Sequence, residues 1–359
     1  MPERLGGVGG EHVHAQAGVI RRNPSSRSGI VLTQPYPHQA GGARELRKLK
    51  GPRALVAKPC CKREAWFYRS GSEFKKFAPR FHGIRRSDKG VPSVLLEDLT
   101  TGYRNPCVLD VKMGVCTAAP DRTAAKQARC KQKDKMTTTG SVGARICGLR
   151  VYQVDEEEFV MLDKHWGNTL KIGEFVAAIM KFFDNGTRMR RALALRFLER
   201  LKPIRDMMAR QDVYRFYASS ILFIYEGNDE AYDEKLTDKE NAARQEKWDE
   251  QAKINVKMID FAHVFPIGEG FGSRDDSYRC GLDNLLAVLE GIGRGVPADE
   301  ISLVDHSANE RLHVHCLCGA DPVRSDLNYM SAGSRSGMST PNSITPSTPT
   351  TSPVGTFEG

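Results

Sequence analysis

Between two tails poor in apolar residues, the chain alternates short aliphatic or β-branched runs with longer segments whose apolar residues recur every three or four positions. That alternation specifies a mixed α+β fold. Residues 55–57, 93–96, 108–111, 146–154, 222–225 and 256–259 read as strands. Residues 174–183, 190–209 and 282–292 carry the helical period. In the first of these Phe175, Ile179 and Phe182 share a face, and Asn185-Gly186 stops the helix. In the second, Pro203 predicts a kink or break. The stretch 229–253 interleaves Glu, Asp and Lys between two strand-like runs and reads as an inserted, solvated loop or surface helix.

A hydrophobic share of 40% over 359 residues suffices for a buried core. Residues 1–28 are rich in Gly, Arg, Ser and His, and residues 324–359 in Ser, Thr, Pro and Gly; both are expected to be disordered. The Ser-Pro and Thr-Pro steps of the second tail suit proline-directed phosphorylation. The most apolar stretch, around residues 216–227, is shorter than the roughly 18 residues a bilayer helix needs, so no membrane span is expected. The N-terminus lacks the pattern of a secretory signal, and cytoplasm and/or nucleus is the expected compartment. Nine cysteines, an odd number without a regular framework, fit free thiols in a reducing environment. An excess of 53 Lys+Arg over 44 Asp+Glu gives a net charge of +9 and points to an anionic partner.

Two segments carry chemistry. In PCVLDVKMG, Pro106 to Gly114, an extended backbone puts Asp110 and Lys112 on one face, a carboxylate beside an ammonium, and Gly114 permits a sharp turn. A lysine there can stabilise charge on a travelling phosphoryl group while the aspartate orders a hydroxyl. In MIDFAHVFP, Met258 to Pro266, Asp260 ends a strand-like run, where a kinase-like fold holds magnesium, although a strand-ending Asp also caps turns. Arg122, Lys126, Arg129 and Lys133 recur at four, three and four residues and form one basic stripe if helical, suited to a small molecule with several phosphates. His313, His315, Cys316 and Cys318 could offer zinc ligands, but alternation in a short strand is the simpler reading.

PCVLDVKMG resembles the P-x-x-x-D-x-K-x-G signature of the inositol polyphosphate kinases. ASSILFIYEG (218–227) resembles that family's S-S-L-L strand and MIDFAHVFP its D-F-A-H segment. RCGLDNLLAVL (279–289) is similar to its G-L-x-x-L helix, and HQAGG (38–42) to its H-Q-V-A-G-H, without the final His. The resemblance covers about residues 36–293. It implies a two-lobed, protein-kinase-like, ATP-grasp-related fold with a short helical inositol-binding insertion at about 117–140. An N-lobe would run over 29–105, a C-lobe over 106–295 and an extension over 296–323.

The resemblance also implies ATP and Mg2+ as cofactors and an inositol polyphosphate as substrate, with nucleic acid not expected; on oligomeric state it says nothing. Lys58 then resembles the lysine on the ATP phosphates, Glu64 the helix residue positioning it, and Glu97 and Leu99 the hinge at adenine. Asp110 resembles the ribose ligand, Lys112 the group meeting acceptor and transferred phosphate, and Asp260 the metal ligand. Arg122, Lys126, Arg129, Lys133 and His263 would face the inositol. Ser219 and Ser220 either touch phosphate or metal or are small packing residues. Residues 129–153 are similar to the hexakisphosphate kinases, implying a diphosphate product. ASSILFIYEG and DFAHVFP read equally like the multikinase, which phosphorylates ring hydroxyls. A non-catalytic inositol-phosphate-binding module is the reading from another class.

Overall fold

The aliphatic runs are too short to form helices and too apolar to stay solvated, and they pair as two antiparallel five-stranded sheets. The computed structural model describes residues 33–41, 45–70, 73–86, 90–230, 235–267, 274–309 and 312. The tails at 1–28 and 324–359 and the run from His313 to Cys318 lie outside them.

The first sheet holds β1 (Thr33–Pro35), β2 (Arg47–Leu49), β3 (Leu55–Pro59), β4 (Phe81–Arg86) and β5 (Pro92–Glu97), in the order β1, β2, β3, β5, β4. Helix α1 (Lys62–Ser70) follows β3 and buries Glu64, Ala65, Phe67 and Tyr68. The second sheet draws on β6 (Pro106–Met113), β7 (Ala144–Gln153), β8 (Glu158–Leu162), β10 (Ser220–Glu226) and β11 (Ile254–Ile259). Its order is β11, β10, β6, β7, β8, which makes β6 central. The short strands β9 (Tyr214–Phe216) and β12 (Val264–Pro266) pair separately. Central position explains why β6 is almost wholly buried and reads as a continuous apolar run.

After β6 come α2 (Ala124–Met136) and the single-turn α3 (Thr138–Val142). Helices α4 (Lys164–Thr169), α5 (Ile172–Phe183), α6 (Arg191–Arg210) and α8 (Asp276–Arg294) cover the second sheet, and α7 (Asp238–Gln251) lies in the charged insertion. Phe175, Ile179 and Phe182 are buried on one face of α5, as their spacing requires. Helix α6 runs unbroken through Pro203, against the expected break. Pro203 is on the exposed face of the helix, where water can satisfy the carbonyl its ring deprives of a donor.

The charged insertion also departs from a purely solvated reading. Asp249 on α7 is 1% exposed and accepts from Arg190 Nε at 2.7 Å and from Arg188 Nη1 at 2.7 Å. Arg190 is fully buried and donates to the Glu226 carbonyl at 2.7 Å, so buried charge pins the insertion to the end of β10. Residues 98–105 alone join β5 to β6. They are held by Glu226, whose carboxylate accepts from the Arg104 and Asn105 amides at 2.7 and 2.9 Å.

Candidate active site

A cleft of about 930 Å³ is lined by both sheets. Lys58, Glu64, Glu97, Leu99, Asp110, Lys112, Arg122, Lys126, Asp260 and His263, ten of the twelve residues expected at the nucleotide, metal or acceptor, line it. Arg129 and Lys133 do not.

Lys58 reaches the cleft from β3, and its ammonium is clasped by two carboxylates. It contacts Glu64 of α1 and lies 2.5 Å from Asp260 Oδ1. Glu64 Oε1 also accepts from the Phe261 amide at 3.3 Å. Phe67 on α1 packs against Phe261 with ring centroids 4.4 Å apart, so an aromatic core fixes the helix that carries Glu64 against the segment that carries Asp260. Burial opposes charge on Lys58, but Asp260 and Glu64 outweigh it and hold the lysine well above its ordinary value. Burial likewise acts to raise Asp260, and the Lys58 and Lys112 ammonium groups reverse this and bring its carboxyl below the ordinary range. Asp260 has a left-handed φ of 66°, an uncommon backbone state for a non-glycine residue, at the end of β11.

Asp110 and Lys112 occupy successive cleft-facing positions of β6. Opposite Asp110 lie Leu222 and Gly148; opposite Lys112 lie Ser220 and Arg145. Lys112 Nζ donates to the Ala218 carbonyl at 2.8 Å. Burial first, and then the Asp260 charge, push Asp110 up to about 6, with Lys112 acting against them. The segment from His38 to Gly41 closes over this point. A side chain at Gly148 would meet the Ala40 carbonyl at 1.7 Å, and one at Gly41 would meet Asp110 Oδ2 at 2.4 Å. The backbone can lie directly on the sheet only because both positions are glycine.

A carboxyl that holds its proton more tightly folded than unfolded opposes folding once ionised. Stability from Asp110 is therefore fullest near pH 4 and falls as pH rises through about 6. In metal-free buffer at pH 7.5, Asp110→Asn is expected to raise Tm by several degrees, with the gain vanishing near pH 4. A thermal scan against pH checks this, and an unchanged or lowered Tm at pH 7.5 would contradict it.

At the hinge, the Glu97 and Asp98 amides donate to the Arg80 and Ala54 carbonyls, both at 3.0 Å. Asp98 is turned inward, where its Oδ1 accepts from Tyr36 at 2.8 Å and from the Thr100 hydroxyl at 2.7 Å. Leu99 is the hinge residue after these ties that borders the cleft.

The basic stripe is shorter than its spacing suggested. Helix α2 starts at Ala124 with Thr123 as its N-cap, so Arg122 precedes the helix and is not on its stripe. Arg129 is exposed, and the buried Asp134, held by the Thr117 amide at 2.6 Å, sets which face of α2 turns inward. Lys133 is half-buried; burial, Arg145 and, more weakly, Lys112 push it below the ordinary lysine value. Cations brought close together attract an anion. Arg145 is thus a residue the sequence reading missed. It is a 5% exposed cation inside an apolar strand, and its address beside Lys112 depends on the β6/β7 register.

Two sheets around a cleft, with a strand lysine held by a helix carboxylate, define a kinase-like fold. The model of the inositol polyphosphate kinase family matches residues 93–290, more than half the chain, and the chain belongs to that family. It is 35% identical over 213 residues to inositol hexakisphosphate kinase 3 of Mus musculus, covering 58% of this chain and 52% of the relative. To inositol hexakisphosphate kinase 3 of Homo sapiens it is 34% identical over 211 residues, covering 56% and 52%. The chain thus spans about half the length of these relatives. Among solved structures, the inositol phosphate multikinase of S. cerevisiae in complex with ADP and Mn2+ superposes with a TM-score of 0.54 at 24% identity, over 66% of this chain and 98% of that one. That likeness is one of fold.

Proposed function

We propose that this chain is an ATP- and magnesium-dependent inositol polyphosphate kinase that acts on inositol hexakisphosphate and makes an inositol diphosphate. The observation that carries the reading is the convergence of Lys58, Glu64, Asp110, Lys112 and Asp260 in one cleft. The names of the two mammalian relatives support the choice of acceptor.

In this reading Lys58 binds the ATP phosphates, with Glu64 keeping it aimed, and the hinge at Glu97 and Leu99 meets adenine. Asp110 accepts from the ribose hydroxyls, beneath the cover of the His38 to Gly41 segment. The donor chemistry fits a hard divalent cation, since Asp260 commits Oδ1 to Lys58 and retains a second carboxylate oxygen. Asp260 would hold magnesium, which offsets phosphate charge. Lys112, Lys133 and Arg145 attract the acceptor, joined by Arg122, Lys126 and His263 at the cleft wall. A phosphate oxygen of the acceptor bonds to the γ-phosphorus, the bond from that phosphorus to the bridging oxygen breaks, and ADP leaves with the electron pair. The transition state is loose, so the side chains contribute position and charge more than proton transfer. Cytoplasm and/or nucleus is the compartment this reading proposes.

Mass analysis of products from ATP and Mg2+ with inositol hexakisphosphate or a trisphosphate tests the acceptor. A product one phosphoryl group heavier than hexakisphosphate is expected. Product from trisphosphate alone would replace this reading with the multikinase one.

A further inference from the structure

Asp121 has no part in the machinery described so far, yet it joins three segments of the chain. It lies in the loop between β6 and α2 and lines the cleft. Its Oδ1 is 3.1 Å from His263 Nδ1, and its Oδ2 accepts from Arg63 Nη1 at 2.8 Å. His263 belongs to the segment that carries Asp260, and Arg63 is the α1 residue next to Glu64. Arg63 is itself well placed, donating to the Ala262 carbonyl at 3.2 Å and lying 4.1 Å from the centre of the Phe265 ring.

The charge on Asp121 fixes the direction of the imidazole hydrogen bond. Burial acts to raise its carboxyl, but the hydrogen bonds from His263 and Arg63 prevail and hold it at about 2. It is a carboxylate at neutral pH, and a carboxylate only accepts. Nδ1 therefore carries a proton, which leaves Nε2 as the ring nitrogen not held by Asp121; only with a second proton there can the ring donate to a phosphate oxygen.

We propose that Asp121 is a positioning residue for the acceptor end of the cleft: it holds His263 through Nδ1–H and stabilises the imidazolium whose Nε2–H donates to an acceptor phosphate, and it fixes the loop carrying Arg122 against α1. The claim about His263 stands on its own geometry; the claim about the acceptor rests on the kinase reading. A carboxylate at this place in an anion-binding cleft is otherwise unfavourable, since it repels the polyphosphate that the surrounding cations attract. Holding two cleft residues from different segments accounts for it.

The test uses the full chain with ¹⁵N-labelled histidine, at a pH where the imidazole is neutral, with the His263 signal assigned by His263→Gln. The wild type is expected to show Nδ1–H. Asp121→Ala should shift His263 toward Nε2–H, whereas Asp121→Asn, which keeps an accepting oxygen, should retain Nδ1–H. In kinetics, Asp121→Ala should raise the acceptor KM about tenfold with the ATP KM unchanged, and should add little in a His263→Gln background. A tautomer indifferent to Asp121→Ala, or an equal rise in the ATP KM, would overturn the proposal. A wild type that phosphorylates no inositol polyphosphate, with the tautomer still responding, would remove the kinase reading and leave the histidine lock standing.

Discussion

Asp260→Asn is expected to lower kcat by at least about 10³-fold while inositol-phosphate binding stays within a few-fold of wild type. The substitution keeps the shape of the side chain and removes the charge that would hold magnesium. It also removes one of the two carboxylates on Lys58, leaving the lysine to Glu64. In the proposed reading the acceptor is attracted by basic residues, Lys112 among them, rather than by Asp260, so its affinity should depend little on Asp260. Single-turnover kinetics together with calorimetric titration of the inositol phosphate separate the two quantities. Unchanged turnover would mean that the metal is held elsewhere.

Lys112→Met is expected to cost about 10²- to 10³-fold in kcat and to weaken the acceptor as well. Methionine fills the volume of the lysine stem, so β6 should stay packed, but the ammonium beside Asp110 and its bond to the Ala218 carbonyl are gone. Arg145, directly across the strand pair, remains and keeps part of the attraction for the anion. The measurement is kcat and KM varied in the acceptor at saturating ATP. A rise in acceptor KM with kcat intact would make Lys112 a binding group that takes no part in the transition state.

The parts of this fold that were legible in the sequence are those where burial on both faces imposes an unbroken apolar run. β6 and β10 are such strands, and Asp110 and Lys112 stand out because charge inside such a run needs a reason; β11 is a half-buried edge strand, and Asp260 stands out by ending it. β1, β2 and β4 gave no comparable signal. They are short and rich in polar or basic residues, and pairing with the neighbouring strands holds them together more than any pattern of their own. Lys58 and Glu64 were found through resemblance, because a lysine on a five-residue strand and a glutamate on a nine-residue helix have no local peculiarity. Arg145 and Asp121 were missed for a common reason. Each acquires its meaning from a partner far along the chain, Arg145 from the β6 register and Asp121 from residues 63 and 263, and periodicity does not encode such meetings. The basic stripe failed differently: its spacing was right for a helix, but the helix begins two residues after Arg122, and buried Asp134 sets its rotation.

The net charge of +9 suggested an anionic partner of any size. The positions of Lys112, Lys133 and Arg145 reduce that to something compact, and the cleft of about 930 Å³ has the scale of a nucleotide with a small polyphosphate. In the proposed reaction this cleft moves the γ-phosphoryl group of ATP onto an inositol polyphosphate. The most direct measurement follows label from γ-³²P-ATP in the presence of Mg2+ and inositol hexakisphosphate, with ADP quantified in parallel. Label is expected in an inositol diphosphate, with one ADP for each, and none with Asp260→Asn. Label that stays in ATP or appears only as inorganic phosphate, with every inositol polyphosphate offered, would contradict the proposed reaction.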